Sequence, residues 1–459
     1  MGVVIEREEW ALTPLAYPLL SAASLAALLL LPYFSPPPHA AASHSPFDAG
    51  TAPFLRFRRA FLFVFSLASV AEGIQSVFGE DEFVRCGLGR EQMAARLAAA
   101  AAAALFLGGF SGVVSDKLGP RQACIFYWML QLAVGTLKSF SGLRCAWINN
   151  LISALASSMF YFCFETWFVV EHEKQGQKQD LLFDSFWLMT FFESMSLVGS
   201  QGITNLLVND DYKGFLLPYA FVALISIAGI LYVRKNASST THHASAIGSY
   251  QKSFFAHVFR DKRVLILVLA QASIHFSIMF GGASFPWFDG ATAPFRNEDS
   301  LTIAYITAGI ALLIVAYDYQ EIGTLVILFC IFHACVGFIL PSLARLRTMY
   351  LPNELRGGMM SFSLGLANAA IFIVLMQGAY HQNIANSTIL GFAACGLLVA
   401  GGCIHMLRRR RKHTRQDTRS QVDKRRISRL RLFPGVAVLL SCIVCGSTMV
   451  DVPEPGALD

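Results

Sequence analysis

Three carboxylates lie inside long apolar runs, where an ionised side chain needs a partner or a water-filled cavity. They are Glu72, Glu165 and Glu193, and Gln75 follows Glu72 by about one helical turn. A charged group at the centre of a membrane-spanning helix costs on the order of 3 kcal/mol on insertion scales, so such residues usually mark a functional site. We interpret them as candidate binders of protons or of a polar solute. A structural hydrogen bond between neighbouring helices is the alternative that the sequence leaves open.

Other polar side chains occur at helical spacing in the apolar runs. Gln201 shares one predicted helix face with Glu193, which precedes it by two turns. In the second half, Gln271 and His275 lie one turn apart. A cationic histidine would attract an oxyanion, whereas a neutral one would bond to a neighbouring helix. Asn368 belongs to a small polar face that suits either close helix packing or the lining of a cavity.

The composition is that of a helical membrane protein. Hydrophobic residues make up 55% and charged residues 14% of the chain, and the mean hydropathy is +0.52, whereas a soluble domain carries about 25% charged residues. Runs of about 20 apolar residues match the thickness of a bilayer core, and their backbone groups can be satisfied in lipid only within helices. The predicted spans are 10–31, 60–79, 92–114, 122–140, 147–170, 184–208, 214–233, 263–288, 300–317, 321–341, 358–379, 388–407 and 432–450.

These spans leave the basic residues in loops and at helix ends. No arginine falls in the middle of a predicted span, so the residues alone support a polar cavity better than a site for any one anion, although neutral donors and helix N-termini can cage an oxyanion. Glu171 and His172 are expected at a solvated helix end. Ten cysteines are present, mostly inside apolar runs, and their spacing does not indicate a metal site.

Lysine and arginine set the predicted orientation of the spans. Arg56, Arg58 and Arg59 place the start of the second span in the cytoplasm, and the twelve basic residues from Arg408 to Arg431 place the tail there too. Five spans separate the central loop from this tail, although two cytoplasmic segments require an even number of crossings. We therefore expect one crossing to be missing from the second half.

A short charged turn, GVVSDKLGPR, joins two apolar runs at Gly112–Arg121. Gly119 suits the turn, and Asp116 can accept backbone N–H groups at a helix N-terminus. Lys117 and Arg121 can hold a carboxylate or a lipid phosphate. A hairpin with paired charges can lock two helices in one conformational state and release them in another. The alternative is an ordinary short loop that obeys the positive-inside rule.

This turn resembles the signature loop between the second and third helices of the major facilitator superfamily, and further motifs resemble its molybdate-anion transporter family. They are FLRF (54–57), SLASVAEGIQSVFGE (66–80), FCFETWFVVEHEKQG (162–176), FWLMTFFES (186–194) and ILPSLARLRTMYLPNELRGGMMS (339–361). The family implies two six-helix bundles related by pseudo-symmetry, with a central cavity between them and an extra N-terminal helix. It also implies two crossings where this chain has one, between Ala270 and Phe288, in agreement with the missing crossing.

The resemblance therefore implies an all-α, polytopic membrane protein with a major-facilitator-like two-bundle fold. The predicted domains are an N-terminal membrane helix and linker (1–57), an N-terminal six-helix bundle (58–233), a cytoplasmic central loop (234–262), an incomplete C-terminal bundle (263–407) and a basic tail with a further hydrophobic segment (408–459).

The function that the resemblance implies is secondary transport of a small solute, molybdate or a related oxyanion, by alternating access. Because a crossing is missing, a non-transporting receptor or sensor on the same scaffold and a defective isoform remain alternatives. The chain has no P-loop or HExxH motif and no GxSxG motif on a span, so we expect no enzymatic activity, cofactor or metal site. We expect a monomer in the cell membrane or an endomembrane, without nucleic-acid partners, whose basic tail binds anionic lipid headgroups.

Overall fold

The computed structural model describes residues 52–85, 90–141, 146–176, 179–207, 216–235, 247–282, 298–317, 322–380 and 386–431. These residues are helical apart from short turns, and no strand occurs among them. The predicted N-terminal helix 10–31, the linker that follows it and the hydrophobic segment 432–450 lie outside the described residues.

The helices of the first half agree with the six spans predicted between residues 60 and 233. They are α1 (Ala52–Arg85), α2 (Arg90–Ala103), a π-helical turn (Ala104–Gly108), α3 (Gly109–Leu118), α4 (Pro120–Ser141), α5 (Ala146–Lys174), α6 (Gln179–Leu207) and α7 (Leu216–Lys235). Gly119 ends α3 with a φ of 96°, a left-handed conformation that glycine adopts without steric cost. Helix α4 then begins at Pro120, where the missing N–H group costs nothing.

The second half contains five long helices in its described part, as many as the sequence predicts. The elements are α8 (Ile247–Phe255), a π-helical turn (Ala256–Arg260), α9 (Lys262–Gly282), α10 (Glu298–Tyr317), α11 (Ile322–Tyr350), a 3₁₀ turn (Asn353–Leu355), α12 (Arg356–Tyr380) and α13 (Asn386–Arg431). Across the described residues, eight helical stretches are long and apolar enough to cross a bilayer. The chain divides into two compact units between Ile404 and His405, so the basic end of α13 belongs to a separate unit.

Several elements differ from the sequence prediction. Helix α8 forms where the sequence indicates only a loop, α11 continues from the predicted end at residue 341 to Tyr350, and α13 continues from 407 to Arg431. The apolar pattern ends a span at the first cluster of charges, although a charged residue can continue a helix when it has protein neighbours. Arg347, which is 7% exposed in α11, shows this directly.

Two large hydrophobic cores hold the helices together. The first is aromatic: Phe61 of α1 packs against Phe164, Trp167 and Phe168 of α5, with ring centroids 4.8 to 6.4 Å apart. The second consists of side chains from α9, α10, α11 and α13. Helix α12 packs against α2 and α3 of the first half and against α9 of the second. It is therefore a major element through which the two halves meet.

Small residues allow α3 and α12 to approach closely. Ser361 of α12 donates its hydroxyl hydrogen to the carbonyl oxygen of Gly109 at 3.1 Å. A Cβ atom at Gly112 would overlap the carbonyl oxygen of Gly357 and the side chain of Ser361, whereas a Cβ atom at Gly109 would meet nothing within 4 Å. Glycine and serine at such positions let helix backbones pack tightly in membranes.

Two matched substitutions on α3 test this contact. Overpacking of a tight contact costs about 1–3 kcal/mol, so Gly112→Ala should lower the melting temperature of the purified protein. Gly109→Ala should leave it unchanged or raise it, because alanine is better than glycine in a helix by about 0.5–1 kcal/mol. Thermal unfolding in detergent measures both, and equal effects of the two variants would show that the contact is not tight.

Candidate functional site

A buried ion cluster joins α5 of the first half to α11 and α12 of the second. Glu165 of α5 is 8% exposed and Arg347 of α11 is 7% exposed. Arg347 binds the carboxylate with two groups, because Nε donates to Oε1 at 3.0 Å and Nη2 donates to Oε2. This paired geometry orients both side chains and is the arrangement in which arginine recognises planar oxyanions.

A second guanidinium group contacts the same carboxylate. Arg356, the first residue of α12, is 1% exposed, and its Nη1 lies 3.5 Å from Oε1 of Glu165. Its Nη2 donates to Oδ1 of Asn353 at 3.4 Å, and its Nε has no hydrogen-bond partner within the described part of the chain. One carboxylate against two guanidinium groups leaves these three side chains with a formal charge of +1.

Helix α9 adds the neutral polar side chains that the sequence singles out. Nη1 of Arg347 donates to Oε1 of Gln271, and Nε2 of Gln271 lies 2.7 Å from Nε2 of His275. The His275 ring packs edge-on against Tyr161 of α5, with ring centroids 4.7 Å apart. The structure therefore brings Glu165, Gln271 and His275 together around one arginine.

The hydrogen-bond pattern indicates that His275 is uncharged in this structure. The arginine donates to the amide oxygen of Gln271, so the amide nitrogen of Gln271 faces His275. A ring nitrogen that accepts a hydrogen bond carries no proton, and the imidazole is then neutral. Of the two interpretations left open by the sequence, this geometry favours the neutral histidine that bonds to a neighbouring group.

No arginine lies in the middle of a predicted span, but the sequence prediction missed a buried arginine near the end of one helix. Arg347 lies beyond the predicted end of the 321–341 span, but α11 continues to Tyr350 and carries its guanidinium group into the core. One sequence signal could have found it: Leu343 and Leu346 precede Arg347 at helical spacing, and all three are buried on one face.

His172 also differs from its expected position at a solvated helix end. It is 3% exposed, and its ring packs edge-on against Phe54, with centroids 5.3 Å apart. Helix α1 begins at Ala52, before the predicted start of its span at residue 60, and its first turns cover this part of α5. The neighbouring Glu171 is half-buried and pairs with Lys174 at 3.6 Å.

A second polar network lies within the first half. The carboxylate of Glu72 in α1 accepts hydrogen bonds from Gln131 at 2.6 Å, from Ser157 at 2.6 Å and from Tyr127 at 3.2 Å. Gln75 joins the same network because its Nε2 donates to Oε1 of Gln131. The structure thus brings Glu72 and Gln75 together, but in a different network from the one that contains Glu165.

The remaining sequence-predicted residues lie on α6 and α12. Glu193 is half-buried on α6, Gln201 lies in the last two turns of the same helix, and Asn368 is half-buried on α12. Their roles stay predictions.

The charged turn binds the N-terminus of α12. The carboxylate of Asp116 accepts the backbone N–H groups of Gly357 and Gly358, each at 2.8 Å, and the hydroxyl group of Tyr250 at 2.7 Å. The first turn of a helix offers unpaired N–H groups and a partial positive charge, both of which favour a carboxylate. Burial, and then the nearby Asp116, raises the pKa of Tyr250 above its usual value, so its hydroxyl stays protonated and donates.

The other residues of this turn hold neighbouring helices. Arg121 donates to the carbonyl oxygen of Val233 through Nε at 3.2 Å and Nη2 at 2.9 Å, and to that of Arg234 at 3.2 Å. These carbonyls belong to the last turn of α7, where intrahelical partners are missing. Lys117 is half-buried, and Gly112 packs against α12 as described above. The turn therefore bonds to both α7 and α12.

Two single substitutions test which charge the cluster needs most. Glu165→Gln leaves two buried guanidinium groups without their carboxylate, whereas Arg347→Gln leaves Glu165 beside Arg356. Because an uncompensated buried charge costs about 3–5 kcal/mol, Glu165→Gln should lower the melting temperature in detergent more than Arg347→Gln does. Arg345→Gln is the control, since Arg345 packs over the ring of Phe183 at 4.4 Å. An equal or larger effect of Arg347→Gln would contradict the charge balance.

Comparisons with known proteins agree with this architecture. A family model described as "Sugar-transporters, 12 TM" matches residues 25–317, more than half of the chain. The molybdate-anion transporter of Takifugu rubripes is 25% identical over 197 residues, which cover 41% of this chain and 39% of that protein. The molybdate-anion transporter of Xenopus laevis is 27% identical over 180 residues, which cover 37% and 38%. The chain thus spans about two fifths of the length of these curated relatives.

Solved transporter structures share the fold. The human organic anion transporter MFSD10 (TETRAN) is 11% identical with a TM-score of 0.58, over 77% of this chain and 100% of that chain. A bacterial homologue of the iron transporter ferroportin, in an outward-facing state with soaked iron, is 12% identical with a TM-score of 0.60, over 77% and 99%. The family and these neighbours are transporters, not enzymes. The chain is therefore an integral, multi-pass membrane protein that belongs to the matched transporter family of the major facilitator superfamily, as the resemblance of its motifs predicts.

Proposed function

We propose that this chain is a secondary transporter of a small oxyanion, molybdate or a related anion, and that it works by alternating access between two helical bundles. The observation that carries this proposal is the buried cluster of one carboxylate and two guanidinium groups that bridges the two halves of the chain. Two relatives are named molybdate-anion transporters and one structural neighbour is named an organic anion transporter, which supports an anionic solute.

The chemistry of the cluster suits a tetrahedral oxyanion. Its two guanidinium groups attract an anion, and their low exposure means that the attraction is little screened by water. Arg356 has donor capacity to spare, because its contact with Glu165 is long and its Nε lacks a partner in the described residues. The neutral side chains that would line the site beside the arginines are Gln271 and His275. The candidates for the wall of the central cavity stay Glu193, Gln201 and Asn368.

A bound oxyanion and the carboxylate of Glu165 would compete for the same guanidinium groups, and this competition would couple binding to a conformational change. Glu165 belongs to the proposed bundle 58–233, whereas Arg347 and Arg356 belong to the proposed bundle 263–407. An oxyanion that binds the guanidinium groups would displace the carboxylate and remove the ion pair between the bundles. The bond between Asp116 and the N-terminus of α12 ties the same two bundles at their predicted cytoplasmic ends. Its release would complete the opening of that side.

Two other functions make different predictions. The description of the family model favours a sugar as the solute, and a neutral sugar would gain little from the charge of the two guanidinium groups. A receptor on the same scaffold would bind the anion without moving it. The comparisons favour a transporter over this alternative.

Uptake of labelled molybdate into proteoliposomes that contain the full-length chain tests the proposal. We expect saturable uptake, and we expect Arg356→Gln to reduce its initial rate about tenfold or more, because one hydrogen bond to a charged group contributes about 1.5–3 kcal/mol. Arg345→Gln makes the same charge change on a side chain that packs over Phe183, and it should retain the wild-type rate. Thermal unfolding of each variant checks that the protein is folded.

Each other outcome contradicts a defined part of the proposal. Uptake of a labelled hexose without uptake of molybdate would assign the chain to the sugar class. Binding of molybdate without accumulation would indicate a receptor. Equal molybdate uptake by the wild type and a folded Arg356→Gln variant would exclude the cluster as the anion site.

A further inference from the structure

Two of the carboxylates with described partners, Glu165 and Glu72, have opposite surroundings. Glu165 contacts the guanidinium groups of Arg347 and Arg356. Glu72 is held by neutral donors, namely the amide of Gln131 and the hydroxyl groups of Tyr127 and Ser157. Neutral donors stabilise a carboxylate but do not fix its charge. Of these two residues, Glu72 is therefore the one that can gain and lose a proton without leaving buried cations unpaired.

The donors around Glu72 are themselves held in place. Gln131 is completely buried. Its Oε1 accepts a hydrogen bond from Nε2 of Gln75. In turn, Oε1 of Gln75 accepts a hydrogen bond from the hydroxyl group of Ser153 at 2.7 Å. This series of hydrogen bonds orients the amide of Gln131 so that its nitrogen points to Glu72. Five polar side chains on α1, α4 and α5 thus form a preorganised pocket for one carboxyl group, which is half-buried.

Helices α4, α5, α6 and α7 surround Glu72. Among their described residues, the partners that bond to its carboxylate are all neutral. Tyr127 is the titratable side chain that bonds to it. Lys138 of α4 donates to the hydroxyl oxygen of Tyr219 in α7 at 3.0 Å. On α6, Ser200 packs against α1, and Glu193 lies about two helical turns before Ser200.

We propose that Glu72 is the site of a proton that moves with the anion, whereas Glu165 is a gate residue that pairs with guanidinium groups of the other half. This inference rests on the proposed transport function and names its coupling ion. The carboxylate takes a proton from water on one side of the membrane and becomes a carboxylic acid with an O–H bond. On the other side this bond breaks and the proton returns to water. A protonated Glu72 can donate this hydrogen to the oxygen of Tyr127 or Ser157, so the same pocket accommodates both states.

The charge of the solute gives the coupling a physical reason. An anion that enters a compartment with a negative interior moves against the membrane potential. A proton carried on Glu72 reduces the charge moved in each cycle and lets a pH gradient drive the uptake. With the membrane potential held at zero, one coupled proton allows about tenfold accumulation for each unit of pH difference.

Proteoliposomes with the full-length chain test this inference with two assays on the same samples. The first measures exchange of labelled for unlabelled molybdate at equal pH, which does not require net proton movement. The second measures uphill uptake driven by a pH gradient, with valinomycin and potassium holding the potential at zero. We expect the wild type to be active in both assays. Glu72→Gln should still exchange molybdate at a measurable rate but should lose uphill uptake at least tenfold, whereas Glu72→Asp should retain part of it.

Glu171→Gln is the matched control, because it removes a half-buried carboxylate that pairs with Lys174 at the end of α5, and it should keep both activities. A wild-type chain that exchanges no molybdate would refute the proposed function and this inference with it. Uphill uptake that persists in Glu72→Gln, or wild-type uptake that ignores the pH gradient, would refute the coupling role alone. Loss of both activities in a folded Glu72→Gln variant would make Glu72 a solute ligand and overturn the proposal.

Discussion

The contact between Glu165 and the guanidinium groups of Arg347 and Arg356 is the interaction on which the rest of this account depends. A buried ion must be paired, because removing it from water is expensive and the surrounding side chains cannot replace its hydration. Here the pairing cannot be made within one half of the chain. The carboxylate belongs to α5 and the guanidinium groups to α11 and α12. The electrostatic requirement of one side chain therefore holds the two halves in contact.

The same region contains contacts that would have to break together if the halves separate as proposed. Asp116 binds the first turn of α12, the helix whose first residue is Arg356. Tyr250 brings α8 to the same point, and the close approach at Gly112 leaves no room for a side chain between α3 and α12. These contacts are polar or involve little side-chain area, so they could re-form after each step of the proposed transport cycle, unlike the aromatic core of α1 and α5. The Glu72 network lies entirely inside the first half and need not be broken by this motion.

The sequence predicts the helices well but not the pairs between them. Apolar runs identify the membrane-spanning segments because every backbone group in lipid must be paired locally. The prediction that Asp116 caps a helix N-terminus is confirmed, yet α12, more than two hundred residues later, could not be named from spacing. Glu72 and Gln75 fall in one network because they are one turn apart. Arg347 is missed because an arginine at the end of an apolar run resembles a loop residue until its partner in α5 is known.

The measurement that tests the central claim most directly is the affinity of the purified protein for molybdate with and without the carboxylate of Glu165. If the anion and Glu165 compete for the same guanidinium groups, isothermal titration calorimetry should show tighter binding to Glu165→Gln than to the wild type. The expected gain is on the order of tenfold, since the competing contact is a charge-assisted hydrogen bond. Unchanged or weaker binding to a folded Glu165→Gln variant would contradict the account.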